Sequence, residues 1–187
     1  MQEIEHILNI LKETQIAINN KDILHLKELS NQTVHSASIY QDADNIVVAI
    51  IIYSISKILE RADYQEYKDW DIFLESLKKH ISKSILALKE KNINKFRFEM
   101  RKIRKAIAHL SGNFKKHVEE VFQKASINKA SRIYEHGISM EKTAKLLGVT
   151  IWELAEYAGK TGIGDVQLNQ TLSVKKRINL AIEIFKK

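Results

Sequence analysis

Residues 46–59 read Ile-Val-Val-Ala-Ile-Ile-Ile-Tyr-Ser-Ile-Ser-Lys-Ile-Leu, and their first eight residues form the longest apolar run of the chain. The β-branched residues fit a strand by propensity. The apolar pattern nevertheless continues through Ile55, Ile58 and Leu59, which favours a central helix buried on most sides. Asp42 and Asp44 stand just before it, where a carboxylate can accept hydrogen bonds from the free amides of a helix start.

Apolar residues also recur at helical spacing on both sides of this segment. The chain has no proline and no glycine before Gly112, so the first 111 residues are expected to form long helices. We predict an all-α protein whose residues 1–125 form an antiparallel helical bundle, the expected dimerisation domain. The supporting positions are Ile4, Ile7, Leu8, Leu11 and Ile18; Leu24, Leu26 and Leu29; Tyr64, Tyr67, Trp70 and Phe73; Leu77, Ile81, Ile85 and Leu88; and Phe96, Met100, Ile103, Ile107 and Leu110.

The last third of the chain carries five of the six glycines, which predicts short helices joined by tight turns. Gly137 can end one helix, and Ser139 can cap a second helix of about residues 140–147. This helix stops at Gly148, and Thr150 can cap a third. The small Ala144, the turn residues Gly148 and Val149, and the apolar Leu154 have the spacing of a helix-turn-helix. We therefore predict a helix-turn-helix module over residues 126–187, ending in a packing helix at residues 172–185.

Four short motifs follow one another in residues 130–162: Tyr-x-x-Gly at 134–137, Ile138-Ser139, Lys-x-Ala-x-Leu-x-Gly at 142–148, and Trp152-Glu153. This stretch resembles a small prokaryotic family of helix-turn-helix antitoxins that neutralise PIN-domain toxins. The resemblance covers about one sixth of the chain. It implies that the module binds DNA or a partner protein, such as a toxin.

The first turn of the second helix in such a module faces the major groove of DNA. Here that turn and the following one offer Thr150, Ile151, Trp152 and Glu156, which lack the side chains that form paired hydrogen bonds to purines. Trp152 is expected to pack rather than to contact bases. We therefore predict weakly specific docking on duplex DNA through phosphates, with the contacts provided by Lys142, Lys145, Thr150, Lys160, Lys175, Lys176 and Arg177.

A second basic surface is predicted on the helix that contains residues 95–105. Residues 78–116 hold 13 Lys/Arg and 2 Asp/Glu, whereas residues 1–77 hold 6 Lys/Arg and 13 Asp/Glu. Cationic rows beside an apolar seam suit phosphates or acidic partners, although pairing with the acidic half of the chain is an equally simple outcome. The residues of this surface are Arg97, Arg101, Lys102, Arg104 and Lys105.

Arg104 and His109 form an Arg-x4-His pair, which in a helical bundle resembles the signature of the HEPN ribonuclease families. The resemblance implies metal-independent RNA cleavage, in which Arg104 holds a phosphate and His109 moves a proton. On a straight helix, however, five residues turn the chain by about 140°, so these two side chains diverge. We therefore predict a protein without enzymatic activity and keep the ribonuclease as the alternative.

Composition excludes several other classes. The chain of 187 residues has no cysteine, which removes disulfides, thiolate metal sites and cysteine nucleophiles. Its seven histidines show no metal-ligand spacing, and its apolar runs are too short for a membrane span. We expect a cytoplasmic, homodimeric nucleic-acid-binding regulator, transcriptional or antitoxin-like, without metal or cofactor. A scaffold that binds proteins is a further alternative.

Overall fold

The computed structural model describes residues 3–40, 42–106, 112–135, 139–147 and 150–161. All regular structure within these ranges is helical, in agreement with the all-α prediction. The α-helices are α1 (Ile4–Asn20), α2 (Ile23–Tyr40), α3 (Ala43–Leu59), α4 (Trp70–Lys89), α5 (Ile93–Ala106), α6 (Gly112–Glu135), α7 (Met140–Leu147) and α8 (Ile151–Thr161), and a short 3-10 helix (Ala62–Glu66) precedes α4.

The predicted central helix is confirmed as α3. The side chain of Asp42 accepts a hydrogen bond from the backbone amide of Asp44 at 2.9 Å, so Asp42 caps the helix as the sequence indicated. Twelve of its 17 residues are buried, including the polar Ser54 and Ser56, whose hydroxyls donate to backbone carbonyls of the same helix. A helix buried on most sides must place its polar side chains in this way.

Helices α1 to α6 share one continuous hydrophobic core, which we call the main core. α2 packs along α3 and α4 packs along α5, while α3 also contacts α6 and α1 contacts α4. The seam predicted for α5 is confirmed at its described positions, since Phe96, Met100 and Ile103 are buried. The largest buried residues of the main core include Ile7, Leu11, Leu26, Ile52, Ile55, Tyr64, Phe73, Phe96 and Phe114.

An aromatic cluster closes one part of the main core around Phe114 at the start of α6. The Phe114 ring stacks on Tyr67 with a centroid distance of 4.9 Å, and it meets the edges of Tyr64 and Phe73 at 5.7 Å each. Trp70 lies 6.2 Å away. The predicted aromatic run therefore packs against a residue some 40 to 50 positions later in the chain, which holds α6 to the 3-10 helix and α4.

α6 continues beyond the main core, and the predicted boundary between residues 125 and 126 falls inside it. Lys129 lies in this second half of α6 and is buried, with only 1% of its surface exposed. Its contacts hold the helix against α2 and α3. Its ammonium donates to Asn31 Oδ1 of α2 at 3.0 Å and lies 4.0 Å from the centroid of the Tyr53 ring in α3. A buried lysine needs such partners, because an isolated ammonium is strongly destabilised away from water.

Two lysines occupy positions that usually favour glycine. Lys21, after α1, has φ 53°, and Lys91, after α4, has φ 54°. Both amides donate back to carbonyls of the preceding helix, at Ile18 and Leu88. Left-handed closing residues of this kind are usually glycine or asparagine. A chain without glycine before residue 112 therefore ends these helices with a less favourable residue.

None of the described helices combines the length and the apolar character that crossing a membrane requires.

Candidate nucleic-acid interface

The last three helices meet at a cluster of buried residues, which we call the small core. Its described members are Ala130 from α6, Ala144 from α7 and Leu154 from α8, each at most 2% exposed. Met140 packs against it from the start of α7. Ala144 and Leu154 are two of the residues that the sequence assigned to a contact between short helices, and both are buried there.

The bounds of α7 and α8 follow the predicted turn chemistry closely. α7 spans Met140–Leu147, and its first turn is closed by a hydrogen bond from the Thr143 amide to the Ser139 carbonyl at 2.9 Å. α8 begins at Ile151, directly after Thr150, whose carbonyl accepts from the Leu154 amide at 3.2 Å. Only residues 148–150 separate the two helices, so both must pack at short range against α6.

The first turn of α8 points into solvent. Trp152 is 84% exposed, the largest value among the exposed large hydrophobic residues, and Ile151 is 46% exposed. The expectation that Trp152 packs within the protein is therefore wrong. The reason is geometric: Leu154 faces the small core, and two positions along a helix turn a side chain by about 200°, so Trp152 lies on nearly the opposite face of α8.

The predicted phosphate contacts are only partly described. Thr150 lies exposed at the start of α8, beside Ile151 and Trp152. Lys142 and Lys145 belong to α7 and Lys160 to α8, but only the backbone of these three is described. Lys175, Lys176 and Arg177 lie outside the described residues, as do Gly137 and His109.

On α5, one member of the second basic surface is engaged in an ion pair. Arg97 donates from Nε to Asp44 Oδ1 and from Nη2 to Asp44 Oδ2, each at 2.9 Å. Hydrogen bonding to Asp44 and the charge of its carboxylate raise the pKa of Arg97. This bidentate pair joins α5 to the start of α3, so Arg97 contributes less positive charge to the surface than the sequence suggested.

The only acidic residue of α5 is withdrawn from the surface. Glu99 is 5% exposed, and its Oε2 lies 2.6 Å from His80 Nδ1 on α4. Glu99 therefore places no exposed carboxylate on the outward face of α5. The exposed side chains described in the second half of α5, Arg101 and Lys105, are cationic.

That outward face also carries an exposed aromatic ring. Phe98 is 48% exposed, and the ammonium of Lys102 lies 5.1 Å from its ring centroid. Arg101 and Lys105 are exposed on the same face, at helical spacings of three and seven residues from Phe98. For Arg104 only the backbone is described. In the described ranges, no group of three histidine, aspartate or glutamate side chains could hold a metal ion.

Sequence reasoning missed the exposure of Phe98 and Trp152. For Phe98 a signal was available, because residues 98, 101, 102 and 105 share a face opposite the apolar seam of Phe96, Met100 and Ile103. Comparisons with protein-family models, curated proteins and solved structures find no match for this chain.

Proposed function

We propose that this protein is a non-catalytic nucleic-acid-binding regulator that docks on duplex DNA through α7 and α8. The observation that carries the proposal is the outward first turn of α8, where Trp152 is 84% exposed above a small core that holds α8 against α6 and α7. A helix-turn-helix places this part of its second helix in the major groove.

The chemistry of that turn favours docking over sharp sequence reading. Thr150 can donate to a phosphate, and Ile151 and Trp152 can make apolar contacts, but none of the three forms the bidentate bond that discriminates a purine. Lysines at 142, 145 and 160 supply the positive charge that binding to phosphates requires. The proposal is therefore a regulator of modest specificity, in which dimerisation increases affinity for paired sites.

The same turn also supports a second candidate function, a protein-binding module. Tryptophan is enriched at the centres of protein interfaces, and Trp152 and Ile151 form an exposed apolar pair. The resemblance of residues 130–162 to antitoxins that pair with PIN-domain toxins points to a partner of this kind. An experiment on Trp152 itself separates the two functions.

The chain has only two tryptophans, Trp70 and Trp152, and they differ in exposure. Trp70 is 6% exposed in the aromatic cluster, so Trp70→Phe leaves the exposed Trp152 as the single tryptophan, which is excited selectively over the six tyrosines at long wavelength. Trp152→Phe leaves only the buried one and serves as the matched control. Acrylamide is the suitable quencher, because a neutral molecule does not compete with DNA for cations.

For the Trp70→Phe variant, we expect saturating duplex DNA at low salt to reduce acrylamide quenching of Trp152 strongly. The Trp152→Phe variant should show little quenching with or without DNA. If Trp152 stays equally accessible while DNA is bound elsewhere, or if no duplex binds, the DNA proposal fails and the protein-binding module becomes the better account.

A further inference from the structure

We propose that the outward face of α5 binds single-stranded nucleic acid, with Phe98 stacking on an unpaired base and Arg101, Lys102 and Lys105 contacting phosphates. We call these four residues the α5 face. This site is separate from the α7 and α8 surface, so it goes beyond the proposed function and does not depend on it.

The first support is the combination of an exposed ring with cations on one helical face. Phe98 retains 48% of its surface in solvent even with the Lys102 ammonium 5.1 Å from its centroid. An exposed phenylalanine costs solvation free energy unless a partner covers it. Aromatic rings among lysines and arginines are the groups with which proteins hold single strands, because every base can stack on a ring.

The second support is the removal of negative charge from this face. Glu99, the only carboxylate on α5, is turned inward to His80 at 2.6 Å. At the start of the helix, Glu90 is paired with Lys95 at 2.9 Å, and on the flank Asp44 is paired with Arg97. Glu99 is thus buried, and Glu90 and Asp44 each pair with a cation, which leaves Arg101, Lys102 and Lys105 to attract a polyanion.

The exposed ring of Phe98 favours a single strand over a duplex. Bases within a duplex are stacked on each other and are not free to stack on a protein ring, whereas unpaired bases are. Residues 95–105 extend over roughly 15 Å, so the α5 face covers only a few nucleotides.

The test is the binding of a fluorescein-labelled oligothymidylate of about 12 nucleotides to the full chain, measured by anisotropy over a range of salt concentrations. Two variants probe the site: Phe98→Ala and the double variant Arg101→Glu/Lys105→Glu. Two matched controls lie elsewhere. Tyr40→Ala removes another exposed aromatic, 44% exposed, and Lys12→Glu/Lys68→Glu makes the same change in net charge at exposed lysines in the acidic half.

We expect the charge-reversal variant to lose at least about tenfold in affinity and to flatten the logarithmic salt slope by about 1.4, since each phosphate contact on a single strand contributes about 0.7. Phe98→Ala should lose about tenfold without changing the slope, because stacking is not ionic. Both controls should bind like the parent protein.

Three results would overturn this inference: no binding at low salt, an unchanged affinity of Phe98→Ala, or an equal loss in the Lys12→Glu/Lys68→Glu control. Binding of polyglutamate that matches oligothymidylate binding would also overturn it and indicate an acidic protein partner. Duplex binding measured in parallel separates the two proposals. Retained oligothymidylate binding without any duplex binding refutes the proposed function and supports the α5 face.

Discussion

Over the residues that the structure describes, the main core and the small core differ greatly in size, and they also differ in the large apolar side chains that stay exposed beside them. The main core joins six helices through large apolar side chains such as Phe73, Phe96 and Phe114. The small core joins three helices through two alanines and Leu154. Alanine buries little apolar area, so the two alanines contribute little to packing, and Ile151 and Trp152 on α8 lie in solvent.

This comparison shows that exposed apolar residues carry different information in different surroundings. Ile72 on α4, 71% exposed, is a scattered surface position that needs no explanation, whereas Phe98 on α5 lies beside Lys102. On α8, Ile151 and Trp152 are exposed next to each other. A free surface of this kind is typical of a binding site.

The largest effect is expected at the centre of the aromatic cluster. Phe114→Ala removes a ring that contacts Tyr64, Tyr67 and Phe73, and the loss should be about 3–5 kcal/mol of unfolding free energy. Urea unfolding followed by circular dichroism measures it. Ile72→Ala is the matched control on α4 and should stay within about 0.5 kcal/mol of the parent. A small loss for Phe114→Ala would show that the main core does not depend on this cluster.

A smaller and more local effect is expected at Leu154. Leu154→Ala truncates the largest fully buried residue described in the small core, which should cost α7 and α8 about 2 kcal/mol or more. Hydrogen exchange should then accelerate in these two helices while amides of α1 to α5 stay protected. Uniform acceleration throughout the chain would contradict the distinction between the two cores, and it would show that they unfold as one unit.

A still smaller change in the free energy of unfolding is expected when Glu60, at the end of α3, is replaced. Hydrogen bonds from Lys27 and Lys57, each at 2.8 Å, lower the pKa of Glu60 from 4.5 to about 2. The pKa of Glu60 is lower in the folded than in the unfolded protein. The interaction of Glu60 with the two lysines therefore stabilises the protein above about pH 4.5, and this stabilisation is lost as the pH falls towards about 2. Because the three side chains are partly exposed, water screens the interaction, and it adds at most about 1 kcal/mol to the free energy of unfolding.

Glu60→Gln should therefore lower the unfolding free energy by less than about 1 kcal/mol at neutral pH, and the difference should vanish near the lowest pH. Glu66→Gln, at an exposed carboxylate on the 3-10 helix, is the control. Equal losses in the two variants, or a loss in Glu60→Gln that grows on acidification, would contradict this assignment.

No effect at all is expected in the test for the ribonuclease alternative. We predict that single-stranded RNA remains intact with the native protein in the presence of a metal chelator, and that His109→Ala changes nothing. Gel electrophoresis of labelled RNA measures both. Cleavage by the native protein that is lost in His109→Ala would make the ribonuclease a better account than the non-catalytic regulator, since removal of a proton-transfer group costs roughly 10²–10⁴ in rate.

Much of the fold was predictable because it depends on local chemistry. The buried α3, its Asp42 cap, the α5 seam and the bounds of α7 follow from periodicity and from helix-ending residues. The missed features depend on residues distant in sequence. Arg97 pairs with Asp44 across 53 positions, and Lys129 reaches Asn31 across 98, so neither contact leaves a local pattern.

The candidate site was less predictable than the fold for a related reason. The sequence predicts the bounds of α7 and the start of α8, but it cannot tell which face of α8 the small core covers. Packing of Trp152 was therefore a wrong expectation. Whether Trp152 or Leu154 is buried depends on the position of α6 relative to α8, which only the tertiary structure provides.

The most direct test of the central claim is the salt dependence of duplex binding by the native protein and by Lys142→Glu/Lys145→Glu. We predict that the native affinity for a duplex of arbitrary sequence falls linearly with salt on logarithmic axes. The double variant should bind more weakly to all sequences, with a slope reduced by about 1.8, or about 0.9 for each lost phosphate contact. Native binding confined to one operator and unchanged in this variant, or no duplex binding at moderate salt, would contradict the account.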